Sequence, residues 1–145
     1  MIEAIRIKRW HGQAIVEFAL VLPILLLLML GLINLGLLIN SQIILTQAAW
    51  EGARAGATLD PSQNEGDANI QGAVQNSLIG LVDTSRVLIV IEPDEEARKT
   101  MTGPLPRGHS LKVSLIYPIS LALPMPISLS LTAEATSRIE YSNLP

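Results

Sequence analysis

The chain has no cysteine. That one absence excludes a disulfide scaffold, a thiolate zinc site and a cysteine nucleophile. Histidine is nearly absent as well. His11 lies in a basic N-terminal segment and His109 far from it, which argues against a multi-histidine metal centre. Aromatic residues make up 3% of the chain and charged residues 16%, where an ordinary soluble domain carries about 25% charged. The net charge of −3 offers no basic field to a nucleic acid. No nucleophile elbow, phosphate-binding loop or paired catalytic set occurs, so neither an enzyme nor a cofactor is expected. What fills the chain instead is aliphatic. Hydrophobic residues are 49%, dominated by Leu, Ile, Val and Ala, with a mean hydropathy of +0.41. Such a composition opposes disorder and points to contact with lipid. The 145 residues allow one modest domain with an appendage.

Charge is unevenly placed. Arg6, Lys8 and Arg9 stand against Glu3 in residues 1–12, while the rest of the chain is net acidic. Directly beyond lies Phe18–Ile39 (FALVLPILLLLMLGLINLGLLI), 22 residues without a charge and with Asn34 as the one polar side chain. About 20 such residues span a bilayer as a helix. Because the next basic residue is Arg54, the positive-inside rule places the N-terminus in the cytoplasm and the remainder outside. The run is longer than the roughly 7–15 residues of a secretory signal core, and no small-x-small cleavage site follows it. The helix is therefore expected to stay attached. Pro23 falls in its first turns, where a membrane tolerates a missing hydrogen bond if the freed carbonyl is otherwise satisfied. Glu17, immediately before Phe18, does not fit a plain anchor. An acid at this edge either reaches the headgroups alone or has a partner.

The residues ahead of the run read Lys8-Arg9-Trp10-His11-Gly12, then Gln13-Ala14-Ile15-Val16-Glu17-Phe18. A short basic leader ending in Gly, with Glu five residues on, resembles the processing site of type IV prepilins. In those proteins a membrane aspartic peptidase cuts after the Gly on the cytoplasmic side and the apolar helix is kept. By that resemblance the cut falls between Gly12 and Gln13. Gln13 departs from the aromatic residue commonest at the first mature position, which leaves its N-methylation open. Cleavage would create an α-amino group on Gln13, and Glu17 of one subunit could pair with that amine on a neighbour. A desolvated pair of this kind is directional, and a missing partner leaves a costly buried charge.

The likeness can be narrowed. Residues 9–23 (RWHGQAIVEFALVLP) are similar to the opening of the TadE-like family, minor pilins of tight-adherence, Flp-type secretion systems. Residues 48–57 (AAWEGARAGA) resemble that family's second signature, and 131–138 (LTAEATSR) resemble its last strand. The resemblance implies a minor pilin or pseudopilin of the bacterial inner membrane that takes part in Tad pilus assembly. The partners it implies are the prepilin peptidase, other Tad pilins and pseudopilins, an inner-membrane platform protein and a secretion ATPase, besides membrane lipid.

Beyond Ile39 no helix breaker occurs before Asp60-Pro61, so one helix is expected from about Ala14 to Thr58. Its outer part, 41–59, belongs to an extracytoplasmic domain over 41–145. Ala48, Gly52 and Gly56 recur every four residues, a stripe that permits close approach either of a partner helix or, the favoured reading, of the protein's own sheet. Glu51 and Arg54 can pair on the helix surface. Residues 60–66 form a loop, and Asp67 can cap a second helix over 68–81 with Ile70, Ala73, Val74, Leu78 and Leu81 on one face. Val87–Ile91 reads as a strand covered on both faces, whereas 110–117 and 128–138 alternate as half-buried antiparallel strands. Pro118, Pro124 and Pro126 mark an irregular link between those two. The expected fold is α+β and pilin-like: a long N-terminal transmembrane helix, a second helix and a three-stranded antiparallel sheet.

Other features invite a site and are read plainly. Glu92, Asp94, Glu95 and Glu96 could gather Ca²⁺ but lack the Asp/Asn alternation and Gly of a calcium loop. The acids instead suit the first turn of a short helix after Pro93, with Arg98 and Lys99 at its far end. His109 reads as a surface residue, and Trp10 and His11 as interfacial neighbours of the cleavage site. Two alternatives to the pilin reading stay open: an uncleaved single-pass structural subunit of a membrane secretion complex, and a membrane-tethered binding module that uses its sheet.

Overall fold

Helix α1 runs unbroken from His11 to Thr58, through Pro23. In the computed structural model the described residues are 11–58, 66–81, 83–100, 107–122 and 126–140. Residues 1–10 of the basic leader, Trp10 among them, most of the 60–66 loop and Pro124 lie outside them. The chain divides into two compact units, Met1–Gly36 and Leu37–Pro145. In the first, every residue from Gly12 to Leu30 is exposed, Phe18 at 64%. An apolar surface on all faces of a helix has no stable place in water, since each such side chain gains about 1.5–3 kcal/mol on leaving it. α1 is long and apolar enough to cross a membrane.

The second unit begins where α1 acquires an inner face. Leu45, Ala48, Ala49 and Ala53 are fully buried. Against them pack α2 (Asp67–Ser77), through Ile70 and Val74, and the three-stranded sheet. The sheet contains β1 (Leu88–Glu92), β2 (Ser110–Ala122) and β3 (Pro126–Arg138) in the order β1-β2-β3, both pairings antiparallel. In β2 the alternation places Leu111, Val113, Leu115 and Tyr117 in the core, and β3 adds Ala133 and Ala135 opposite them. A single 3₁₀ turn (Thr84–Arg86) precedes β1, and the short helix α3 (Glu95–Thr100) follows it. At the far end of α1, Glu140 N donates to Ala57 O at 2.9 Å, satisfying one of the carbonyls a helix C-terminus leaves open.

Four details differ from the sequence expectation. β1 is an edge strand and is only half-buried, with Leu88 exposed, because among the described residues no strand lies outside it to complete the cover. α2 stops at Ser77 rather than Leu81. Leu78 N turns back to Val74 O and Gln75 O, and Gly80 takes φ +106°, a left-handed conformation that ends helices. Asp67 is not the cap of α2. That position belongs to Gly66, which makes no side-chain cap bond, and the Asp67 carboxylate is used elsewhere. Finally, β2 continues through Pro118 to Ala122 and β3 begins at Pro126. β1 pairs only as far as Ile116, so among the described residues β2 is an edge strand past that point, where proline is tolerated.

Candidate functional site

The candidate residues all lie on α1, and they fall into three groups by what surrounds them. Gly12, Gln13 and Glu17 occupy its first turns and are exposed. Gln13 Nε2 donates to Glu17 Oε1 at 3.0 Å, one turn apart on the same helix. A carboxylate at the head of an apolar helix thus has a local donor. Gly12, with nothing within 4 Å of a Cβ built on it, is sterically open.

Along the charge-free part of α1, three polar side chains bond back to their own helix. Asn34 Nδ2 donates to Leu30 O at 2.8 Å, Ser41 Oγ to Leu37 O at 2.9 Å and Thr46 Oγ1 to Gln42 O at 2.8 Å. Groups satisfied this way need no water, which suits a helix in apolar surroundings.

The third group is the AAWEGARAGA block, and the fold divides it by size. Ala48, Gly52 and Gly56 face the protein's own core: a Cβ at Gly52 would meet Val74 and Val113, and one at Gly56 would meet Leu111 and Ile70. The large members face outward. Trp50 is 58% exposed, and Glu51 and Arg54 are exposed with no ion pair between them. Glu51, Arg54 and Thr58 instead line a shallow depression of about 360 Å³ beside Ala73 of α2. Trp50 closes one end of an apolar groove of about 330 Å³ formed with Ile39, Gln42, Ile43, Thr46 and Gln47. The block therefore joins a packing seam to an outward face that holds an aromatic ring, an acid and a base.

Sequence reasoning missed a polar clasp between α2 and α3. Asp67 N donates to Glu95 Oε2 at 2.9 Å while Glu95 N donates to Asp67 Oδ2 at 3.3 Å, so each helix start is held by the other's carboxylate. Arg98 is fully buried and ion-paired to Asp67, and Lys99 pairs with Glu95. The hydrogen bond from Lys99, and then that from the Asp67 amide, holds the Glu95 carboxyl below its ordinary value, while Glu95 raises the Lys99 ammonium. Asp94 Oδ1 accepts from Ala97 N at 2.9 Å as the cap of α3. These carboxylates are engaged in holding backbone, and among the described residues no group of three or more acidic or histidine side chains is placed to hold a metal. The acids alone suggested only a dipole-matched helix. That a base on the next turn is drawn inside toward an acid 31 residues earlier has no local sequence signal.

Along α1, then, an exposed apolar stretch is followed by a block whose small residues face the core while Glu51 and Arg54 face outward. Residues 12–54 are similar to the TadE-like family. The matching family, described as TadE-like protein, begins at Gly12 and takes in Glu17, the apolar run and the block as far as Arg54. The TadE-like segment thus stops four residues before α1 does, and α2, α3 and the sheet lie outside it. No curated protein and no solved structure matches the chain.

Proposed function

We propose that this chain is a minor pilin or pseudopilin that takes part in assembling a Tad, Flp-type pilus. The observation that carries the reading is the TadE-like segment: it starts at Gly12, the residue before the expected scissile bond, and contains both Glu17 and the membrane-length helix. Residues 1–12 act as the leader, 13–40 as the transmembrane helix and 41–145 as the extracytoplasmic domain. Arg6, Lys8 and Arg9 hold the N-terminus in the cytoplasm. After cleavage by a prepilin peptidase, the Gln13 amine and Glu17 become the two formal charges at the head of the helix. Glu17 then exchanges its Gln13 side-chain donor for a neighbour's amine, which sets the axial register between subunits. Trp50, Glu51 and Arg54 offer an outward face to other Tad pilins or to the platform protein that, with the secretion ATPase, extracts the subunit. The role is structural rather than catalytic.

One observation favours the uncleaved single-pass subunit. Gly12 and Gln13 sit within α1, so a peptidase would have to unwind the first turn to reach the bond. Helix ends fray readily, and that step costs little. N-terminal sequencing of protein from membranes containing an active prepilin peptidase decides between the two. Gln13 as first residue is the expected result, and recovery of Met1 would remove the pilin reading.

A further inference from the structure

Charges in the Leu37–Pro145 unit are sorted by position along it. α1 carries none from Leu37 to Trp50, the chain carries none from Ala68 to Leu81, and the β2–β3 hairpin carries none from Val113 to Ala133. Packing aligns these three stretches. A Cβ at Gly56 would meet Leu111 and one at Gly52 would meet Val113, whereas Thr132, paired with Ile116, accepts from Gln42 Nε2 at 2.9 Å. Moving up β2 is therefore moving back along α1 toward Leu37. α2 follows the same axis, with Ile70 at Gly56, Val74 at Gly52 and Gly80 beside Ile44. All three uncharged stretches converge on the end of the unit at which α1 continues into the apolar run.

Cover fails at that end. On the inner face of the hairpin Ala135, Ala133 and Tyr117 are buried, but Ile119 is only half-buried and its partner Leu129 is 42% exposed. That pair lies three residues, about 10 Å, past the Ile116–Thr132 pair. Ile79, just beyond α2, is 81% exposed, and Ile39 and Ile43 face outward from α1. The next charges along the chain after Leu81, Asp83 and Arg86, are the cap and the last residue of the 3₁₀ turn before β1. Scattered exposed aliphatics are ordinary, but apolar residues from three elements gathered at one uncharged end mark an interaction surface.

The occupant follows from where that end is. It is the end at which the chain enters the apolar run, whose exposed side chains the single-pass reading places in lipid, so we propose that this end of the unit is seated in the interfacial layer of the bilayer. The proposal rests on the single-pass reading of α1. Ile79 and the Ile119–Leu129 pair enter the boundary of headgroups and acyl chains, a layer into which apolar faces sink about 5–10 Å. Asp83 and Arg86 stay among the headgroups. Among the described residues the outer edge of β2 past Ile116 has no partner strand, and its backbone groups keep the ribbon in this hydrated layer rather than in the hydrocarbon core.

The lack of native cysteine permits a direct test. Leu28→Cys, Ile79→Cys, Leu129→Cys and Thr136→Cys are each made in the full chain, labelled with an environment-sensitive fluorophore and reconstituted into vesicles with or without brominated lipid. Labels at positions 28, 79 and 129 should lose fluorescence to the bromines, and the label at 136 should not. Quenching at 28 with positions 79 and 129 behaving like 136 overturns the proposal while leaving the membrane helix intact. No quenching at 28 overturns the single-pass reading and the proposal with it. Shielding at 79 and 129 that appears only when unlabelled chain is added in excess assigns the surface to a second copy instead.

Discussion

Replacing Gly52 by Ala adds one methyl group, and the structure determines its sign. In the middle of a helix Gly→Ala is worth about 1 kcal/mol of stabilisation, because alanine loses less backbone freedom on folding. At Gly52 the new Cβ lands on Val74 and comes within 3.3 Å of Val113 Cγ1. Val74 sits in α2, where a β-branched side chain has essentially one χ1 rotamer and cannot swing aside. Either α1 moves off the sheet or α2 shifts, and overpacking of this kind costs about 1–3 kcal/mol. The net expectation is a loss of up to about 2 kcal/mol, a factor of as much as roughly 30 in the folded-to-unfolded ratio. Gly72 of α2 is the control, since nothing lies within 4 Å of a Cβ built there. Gly72→Ala should gain most of the helix term. Hydrogen exchange of the Leu111–Leu115 amides in lipid nanodiscs reads both variants. Protection should fall for Gly52→Ala and rise for Gly72→Ala. If the two shift protection the same way by similar amounts, α1 does not approach the sheet as closely as described and the account of the small-residue seam is wrong.

Gly12→Val should leave a full-length, membrane-bound chain in cells with an active prepilin peptidase, because a branched side chain crowds the residue before the scissile bond; intact mass reads the result. Glu17→Gln should insert and be cleaved normally yet fail to co-purify with other Tad pilins, and normal co-purification with normal piliation would reduce Glu17 to a solitary edge acid. The α2–α3 clasp predicts a pH dependence. Glu95 is held below its ordinary value of 4.5, chiefly by Lys99, so its contribution is complete above that value and is lost as pH falls below it through the folded value. Exchange protection in the first turn of α2 should hold across neutral pH and decline in acid, and Glu95→Gln should flatten that decline.

The apolar run and the alternation in β2 and β3 were legible because each is a local pattern with one physical outcome. Phe18–Ile39 has no polar face to show water, and Leu111, Val113 and Leu115 can share a face only in a strand. The stripe of Ala48, Gly52 and Gly56 announced a close approach but not what approaches, since a partner helix and the protein's own Val113 make the same demand. Leu81 extended the apolar period of α2 past Gly80, whose left-handed backbone overrides the period. Pro118 signalled a break because proline ends a central strand, and nothing local reveals that β1 is too short to reach it. Arg98 read only as a base at the end of a short helix. Its burial depends on Asp67, and the meeting of those two is decided by how α2 and α3 pack.

Asn34, Ser41 and Thr46 each return their donor to a carbonyl one turn back, so the helix carries its own solvation with it. A segment built this way is nearly neutral toward its neighbour, because acyl chains and another helix's leucines present it with the same chemistry. In the proposed passage from bilayer to filament, its interior polar groups would have no bonds to surrender and none to find. Any free-energy difference between the two settings would then collect at the one place that cannot be self-contained, the charged head at Gln13 and Glu17. Assembly would be reversible along most of the helix and committed only there, which makes the first turn the point where a machine applying force could most economically hold or release a subunit.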